Sequence, residues 1–223
     1  MIMANQTFAM SYPEKRTFFL EGSELLKSDT QTVYTRSITN PLGAIKYINQ
    51  GENNTIYLLQ ATDTDSPYLA AGQYRSYKGN AGKSKVTIGR LKKNLGNKSH
   101  VGLIATNRDY HVGGSGSVVE FDSLINFLDD YILDLNYARS DTQEGNINFI
   151  DTNDTFAGRT YAMDGESFSG VAKNFRLRWA VDKANAGVRF SDVSPTYRAH
   201  VGFVGRNDYQ YRNYWYGRTY RSQ

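Results

Sequence analysis

Two glutamates near the N-terminus, Glu14 and Glu21, are close enough in sequence to suggest acid–base chemistry. A pair of carboxylates hydrolyses a glycosidic bond when one protonates the leaving group and the other acts as base or nucleophile. Both glutamates, however, lie in the stretch YPEKRTFFLEGSEL, beside cations and the apolar side chains of Phe18 and Phe19. A charge buried next to such a cluster must be paired. We therefore predict a structural ion network of Glu14, Arg16 and Glu21, and we assign no catalytic residue.

Other site chemistries find little support in the sequence. Cysteine is absent, which excludes disulfides and thiol nucleophiles. The three histidines, His100, His111 and His200, lack the spacing of metal ligands. The loop GNAGKS lacks the first glycine of a phosphate-binding loop and precedes a strand rather than a helix. We expect no metal and no cofactor. The formal charge of +4 is spread among mixed charges, so we also expect no nucleic-acid partner.

Residues 131–139 show the alternation of a β-strand. One face carries aliphatic residues between two tyrosines, Tyr131 and Tyr137, and the other face carries Ile132, Asp134, Asn136 and Ala138. This arrangement is typical of a lipid-facing strand with an aromatic residue at each membrane interface and a polar interior behind it. A half-exposed sheet of a water-soluble protein gives a similar pattern.

Residues 117–127 and 171–181 repeat this alternation, with charged residues on one face of each strand. We predict that these charges line a wet interior or contact a ligand. The candidates are Glu120, Asp122, Asp134, Arg176 and Arg178.

Aromatic residues are frequent, with 17 tyrosines, and several stand beside arginine near the C-terminus. Such residues form either an interfacial aromatic girdle or a platform on which sugars stack. The candidates for these two roles are Tyr131, Tyr137, Trp179, Tyr209, Tyr211 and Trp215.

The whole pattern predicts an all-β fold, an antiparallel meander of hairpins that forms an outer-membrane-type β-barrel or part of one. We treat residues 1–223 as a single region, with an opening segment over 1–32 and strands over 33–223. Further strands are predicted at 33–38, 42–49, 55–62, 84–92, 99–107, 187–191, 199–206 and 209–216, separated by turn sequences such as NPLG and NLGNK. A soluble β-sandwich is the alternative.

Several motifs resemble, in order, the bacterial domain-of-unknown-function family 5916. They are YPEKRTFFLEGSELL, VYTRSI, GAIKYI, SHVGLIATNRD and SDVSPTYRAHVGFVGRNDY. The resemblance covers nearly all of the chain, and the opening motif is the most specific of the five. Thr17 and Gly205 stand where proline is common in that family, and Ser37 and Thr39 also depart from its pattern.

The resemblance implies a barrel-like region of an outer-membrane protein of Gram-negative bacteria, following a carbohydrate-binding module similar to family 9. It supplies no catalytic residue. We therefore expect an internal fragment without a signal peptide, whose parent protein lies in the outer membrane. The expected partners are membrane lipid and glycans, in carbohydrate binding or uptake. The alternatives are a soluble glycan-binding module and, less favoured, a glycoside hydrolase.

Overall fold

The computed structural model describes residues 9–150 and 152–220. The first eight residues of the predicted opening segment and the last three residues of the chain lie outside the described residues. Before the first strand, the chain forms a single α-helical turn, α1 (Thr17–Leu20), and two 3-10 helices, Ser23–Leu26 and Thr35–Ser37. Among the described residues, no helix has the length and apolar character needed to cross a bilayer.

The rest of the described chain is organised around β-strands, as the alternation predicts. In chain order they are β1 (Pro41–Gln50), β2 (Asn54–Asp63), β3 (Pro67–Ala71), β4 (Ser76–Asn80), β5 (Ser84–Gly96), β6 (Ser99–Tyr110), β7 (Ser115–Phe127), β8 (Tyr131–Gln143), β9 (Thr155–Phe156), β10 (Arg159–Thr160), β11 (Ser167–Val181), β12 (Ala184–Val193) and β13 (Tyr209–Arg218).

One nine-stranded antiparallel sheet dominates the fold, with the order β1-β2-β5-β6-β7-β8-β11-β12-β13. Neighbours in this sheet are successive hairpin partners, which confirms the predicted all-β meander. Within the described residues the sheet is not closed, because β1 and β13 form its two edges. Strands β3 with β4 and β9 with β10 form two small two-stranded sheets that the alternation pattern did not predict.

Each long strand has an inner face and an outer face. On β2, for example, Tyr57, Leu59 and Ala61 are buried, whereas Leu58 and Gln60 between them are exposed. We call the face that carries the buried residues the inner face. It is covered by an inner layer, which we define as residues 14–38 together with the loop 194–208 between β12 and β13.

The inner layer is joined to the sheet by an apolar cluster. Phe19, Leu25, Leu26 and Ile38 of the N-terminal part and Val201 of the loop pack against Tyr57, Leu59, Val86 and Ile88 of the sheet. Transfer of such side chains out of water contributes roughly 1.5–3 kcal/mol each, so this cluster fixes the inner layer on β2 and β5.

Two predicted strands belong to the inner layer and not to the sheet. Residues 33–38 contain the 3-10 helix Thr35–Ser37, and residues 199–206 form a loop. The two segments bond to each other, since the amide of Tyr34 donates to the carbonyl of Val201 and the amide of Phe203 donates to that of Gln31. These bonds join the two segments within the inner layer. The first strand of the sheet begins at Pro41, so the predicted strand region over 33–223 starts too early.

The two ends of the sheet differ in the length of their connections. At one end, short turns at 51–53, 97–98, 128–130 and 182–183 join the hairpins. Asn97 and Lys98 both have positive φ, 44° and 56°, as a two-residue type I′ hairpin turn requires. At the other end, the long connections 64–83, 144–166 and 194–208 join the strands, together with the short turn 111–114. We call these the short-turn end and the long-loop end.

Candidate functional site

The predicted charged residues lie on the inner face, and most of them are paired. The guanidinium of Arg90 forms an ion pair with Asp122, and His100 Nε2 lies 3.3 Å from the same carboxylate. Arg176 on β11 pairs with Asp134 at the level where the two strands are in register. The first pair spans β6, from β5 to β7, and the second joins the adjacent strands β8 and β11.

Glu120 is fully buried on β7 and faces the inner layer. Its carboxylate accepts hydrogen bonds from the hydroxyls of Ser28, at 3.0 Å, and Thr30, at 2.5 Å. The amide of Asn136 lies 3.4 Å from its other oxygen. Glu120 therefore ties the N-terminal part of the inner layer to the centre of the sheet.

Arg178 differs from these residues because it has no ion-pair or hydrogen-bond partner among the residues that the structure describes. It points from β11 into a cavity of about 710 Å³ on the inner face. The same cavity is lined by Arg176, Arg189, Tyr211, Asn213 and Trp215. Of the charged candidates, Arg178 is thus the one whose guanidinium is available to a ligand.

The predicted aromatic group divides between the two faces of the sheet. Tyr131, Tyr137 and Trp179 lie on the outer face, where the ring of Tyr131 stacks on Phe127 with centroids 5.4 Å apart. Tyr209, Tyr211 and Trp215 lie on the inner face and line cavities there. The six predicted residues are therefore divided equally between the two faces, and no single face carries all of them.

The predicted network of Glu14, Arg16 and Glu21 forms only in part. Arg16 Nη2 lies 2.7 Å from Glu14 Oε2, and the same guanidinium donates to the backbone carbonyls of Thr35 and Ile38. Burial favours a higher pKa for Glu14, but the hydrogen bonds from Arg16, Thr35 and the backbone outweigh it and lower the pKa to about 2. Glu14 is therefore held ionised as the anchor of the opening segment.

Glu21 belongs to a different pair. After the helical turn α1, its carboxylate lies 2.8 Å from Lys46 Nζ on β1, and that ammonium lies 4.7 Å from the ring centroid of Phe18. The prediction that Glu21 joins Arg16 is wrong, because α1 directs the chain from Glu14 towards the edge strand. Each glutamate thus has its own cation.

A second acidic group at the long-loop end was not predicted. Carboxylate oxygens of Glu144, Asp164 and Glu166 lie within 4.8 Å of one another, close enough to contact one divalent cation. Burial, followed by the charges of Glu166 and Asp164, raises the pKa of Glu144 to about 7. Arg159 lies 3.7 Å from Glu166 on the outside of the group. Glu144 precedes Asp164 by 20 positions and Glu166 by 22 positions, so their proximity depends on the fold.

His200 is another residue whose role the sequence did not indicate. Its ring lies between the hydroxyls of Tyr110 and Thr142, at 3.0 and 3.1 Å, and over Gly116 of β7. Desolvation and the charges of Arg108 and Arg198 lower its pKa to about 3, so it is neutral and holds the loop 194–208 against the sheet.

Comparisons with known proteins add no further constraint. No family model, no curated protein and no solved structure matches this chain. The functional conclusion for this chain accordingly follows from its inner groove, its ion pairs and the composition of its outer face.

Proposed function

We propose that this chain forms part of the wall of an outer-membrane-type β-barrel, with its outer face against lipid and its inner layer inside the barrel. The observation that carries the proposal is an exposed apolar band that crosses the outer face at a slant. In the alternatives, a soluble glycan-binding module or a glycoside hydrolase, this face would have to contact something other than lipid.

The band consists of large apolar side chains that are unusually exposed. Ile45 is 71% exposed, Leu58 50%, Leu91 53% and Tyr214 67%. The outward positions of the strands between them continue the band, with Leu103, Phe121, Leu133, Leu135, Phe175, Leu177, Val188 and Phe190. Contiguous apolar surface of this extent marks a membrane or protein contact.

The band is not level with the hydrogen-bond rows of the sheet. On β1 it centres on Ile45 and Tyr47, and following the register from Tyr47 across the sheet leads to Val171 on β11. The band on β11, however, lies further along, around Phe175 and Leu177. On β13 it lies at Tyr214 and Tyr216, so the band moves by about one residue per strand, given the strand geometry.

That displacement has a geometric meaning. Residues along a strand are about 3.4 Å apart and neighbouring strands about 4.8 Å apart. A displacement of the band by one residue per strand therefore means that the strands are tilted by about 35° from the perpendicular to the band. Strands of transmembrane barrels are tilted by about 35–45°. A flat bilayer around tilted strands selects this slant, whereas a protein partner has no reason to follow it.

The border of the band also fits a membrane. Towards the long-loop end the outward positions become polar, as at Lys85, Asn107 and Ser169. Near the short-turn end, Phe127, Tyr131 and Trp179 lie side by side on adjacent strands. Aromatic residues at one border and short turns beyond it are typical of one side of an outer-membrane barrel.

The remaining observations support the same proposal. The inner face carries paired charges, as a polar barrel interior does. The ordered motifs that resemble family 5916 point to the same protein class. A sandwich needs two facing sheets of comparable size, whereas the described residues form one large sheet and two of two strands. A hydrolase based on Glu14 and Glu21 would need to release both carboxylates from their cations.

The test is to locate the full-length protein in its native cells and to examine its gel mobility. We expect it in the outer-membrane fraction, with a band that shifts when the sample is boiled, because a folded membrane barrel resists detergent until it is heated. Recovery in a membrane-free fraction, with no shift on heating, would overturn the proposal.

A further inference from the structure

We propose that the groove on the inner face between β8 and β13 binds an acidic glycan, with a sugar carboxylate at Arg178 and a sugar ring on Trp215. The inference rests on the proposed function in one respect, namely that the inner face lines the interior of the barrel. It adds a ligand class and a site.

The groove has the size of a ligand site. Its cavity of about 710 Å³ lies within the range of about 300–1,000 Å³ that is usual for small-molecule sites. A neighbouring cavity of about 590 Å³ also contains Arg189 and Tyr211 in its lining, so the groove continues along the inner face. It therefore has room for more than one sugar ring.

The charges in the groove leave a surplus of positive charge. Arg176 is paired with Asp134, and Arg189 Nη2 lies 3.1 Å from Asp29 Oδ2 of the inner layer. Arg178 is not paired with any carboxylate among the described residues. Its planar guanidinium offers the geometry that binds a carboxylate through two hydrogen bonds. An anion therefore fits beside Arg178 better than a neutral group.

The aromatic side of the groove is held in position by a glycine. The ring of Trp215 packs directly on the backbone of Gly187, where an added Cβ would lie 2.2 Å from Cζ2. The register places the two residues opposite each other on β13 and β12. An indole fixed in this way presents an apolar surface to the groove at little cost in side-chain entropy, which suits contact with the C–H face of a pyranose.

The polar groups of the groove suit the rest of a sugar. The amides of Asn185 and Asn213 line the same cavity and can donate to or accept from hydroxyls. Together, a free guanidinium, a fixed indole and side-chain amides match a sugar chain that carries carboxylates. A lone inorganic anion uses the first of these features but not the other two.

The experiment uses the intact chain folded in detergent micelles. The sequence contains two tryptophans, and Trp179 faces outward, so a Trp179→Phe background leaves Trp215 as the reporter. Trigalacturonate, an acidic trisaccharide, and maltotriose, a neutral one of equal length, are titrated while the Trp215 fluorescence is recorded. We expect at least about tenfold tighter binding of the acidic sugar, a difference of about 1.4 kcal/mol.

Two arginine variants provide a matched comparison. Arg178→Gln removes the groove cation, and Arg212→Gln removes a cation that points outward from β13. We expect about tenfold weaker binding of trigalacturonate by the first variant and unchanged binding by the second, with circular dichroism showing that both are folded. Should Arg178→Gln misfold, Arg178→Lys, which keeps the charge but not the fork, is expected to weaken binding less than tenfold.

Three outcomes would overturn the inference: equal affinity for the two sugars, equal effects of the two arginine variants, or no fluorescence change with either sugar. These outcomes are separate from failure of the proposed function. If the protein lies in the outer membrane but does not bind trigalacturonate, the proposed function stands and this inference fails. If it binds trigalacturonate but does not lie in the outer membrane, the proposed function fails and the binding site stands.

Discussion

At the scale of single residues, the pKa of Glu144 predicts how the stability of the folded chain depends on pH. Its pKa is raised to about 7 in the folded chain by burial and by Glu166 and Asp164, whereas the unfolded value is 4.5. The folded chain therefore holds this proton more tightly, and stability falls as the pH rises from 4.5 to 7. Because one pKa unit corresponds to about 1.4 kcal/mol, we expect a loss of about 2 kcal/mol between pH 5 and pH 8.

The variant Glu144→Gln should remove this loss, because its side chain stays neutral. Denaturant unfolding at pH 5 and pH 8, with EDTA present to exclude cations, measures the difference. Asp164→Asn, at the exposed edge of the same group, serves as a control and should have a smaller effect. Equal pH dependence in the wild type and in Glu144→Gln would contradict the assignment.

Local ion pairs could be predicted from the sequence, but pairs between distant residues could not. Glu14 and Arg16 are two positions apart, and the requirement to neutralise a charge beside Phe19 was sufficient to pair them. Lys46 as the ion-pair partner of Glu21, and Thr30 as the hydrogen-bond donor to Glu120, depend on how the inner layer lies on the sheet. No spacing rule gives such contacts.

At the scale of elements, inward-facing glycines let the inner layer approach the sheet. At Gly170 of β11, an added Cβ would lie 2.3 Å from the backbone nitrogen of Tyr197, and at Gly116 of β7 it would lie 2.0 Å from the ring of His200. The sequence signal for these contacts is weak, because the same glycines also look like ordinary strand interruptions.

The variant Gly170→Ala tests this close contact. The new methyl group meets backbone rather than a flexible side chain, so we expect a loss of about 1–3 kcal/mol in the free energy of unfolding. Gly89→Ala, on the central strand β5, is the matched control, since the atom nearest to an added Cβ there is Leu58 Cδ2 at 3.7 Å. Denaturant unfolding and protease cleavage within 194–208 report the effect. Equal stability of the two variants would mean that the loop is not held against β11.

The mispredicted segments also belong to this scale. Residues 199–206 alternate in hydrophobicity, as a strand does, and their pattern alone gives no reason to exclude them from the sheet. They pair instead with residues 31–34, and Gly202 packs on the backbone of Gln31 and Thr32. Period-two alternation reports an extended chain with one buried face, but it does not identify the pairing partner.

At the scale of the whole molecule, the all-β meander followed from the sequence, but the slant of the apolar band did not. Alternation within one strand, such as Tyr131 to Tyr137, identifies the outward residues. The relation between strands requires the register, since it is the path from Tyr47 to Val171 that shows how far the band has moved. The pairing register between neighbouring strands cannot be read from the sequence of a single strand.

The slanted band leads to a prediction for two positions on the same strand and the same face. Leu177 lies within the band on β11 and Ser169 lies beyond its polar border, towards the long-loop end. An arginine near the middle of a bilayer costs about 2–4 kcal/mol on a barrel surface, and close to zero near the interface. We therefore expect Leu177→Arg to reduce insertion of the full-length protein into the outer membrane severalfold, and Ser169→Arg to leave it nearly unchanged. Outer-membrane yield and the heat-dependent gel shift measure both. Equal insertion of the two variants would mean that lipid does not contact this face at Leu177, because a bilayer discriminates between two arginines on one strand by their depth alone.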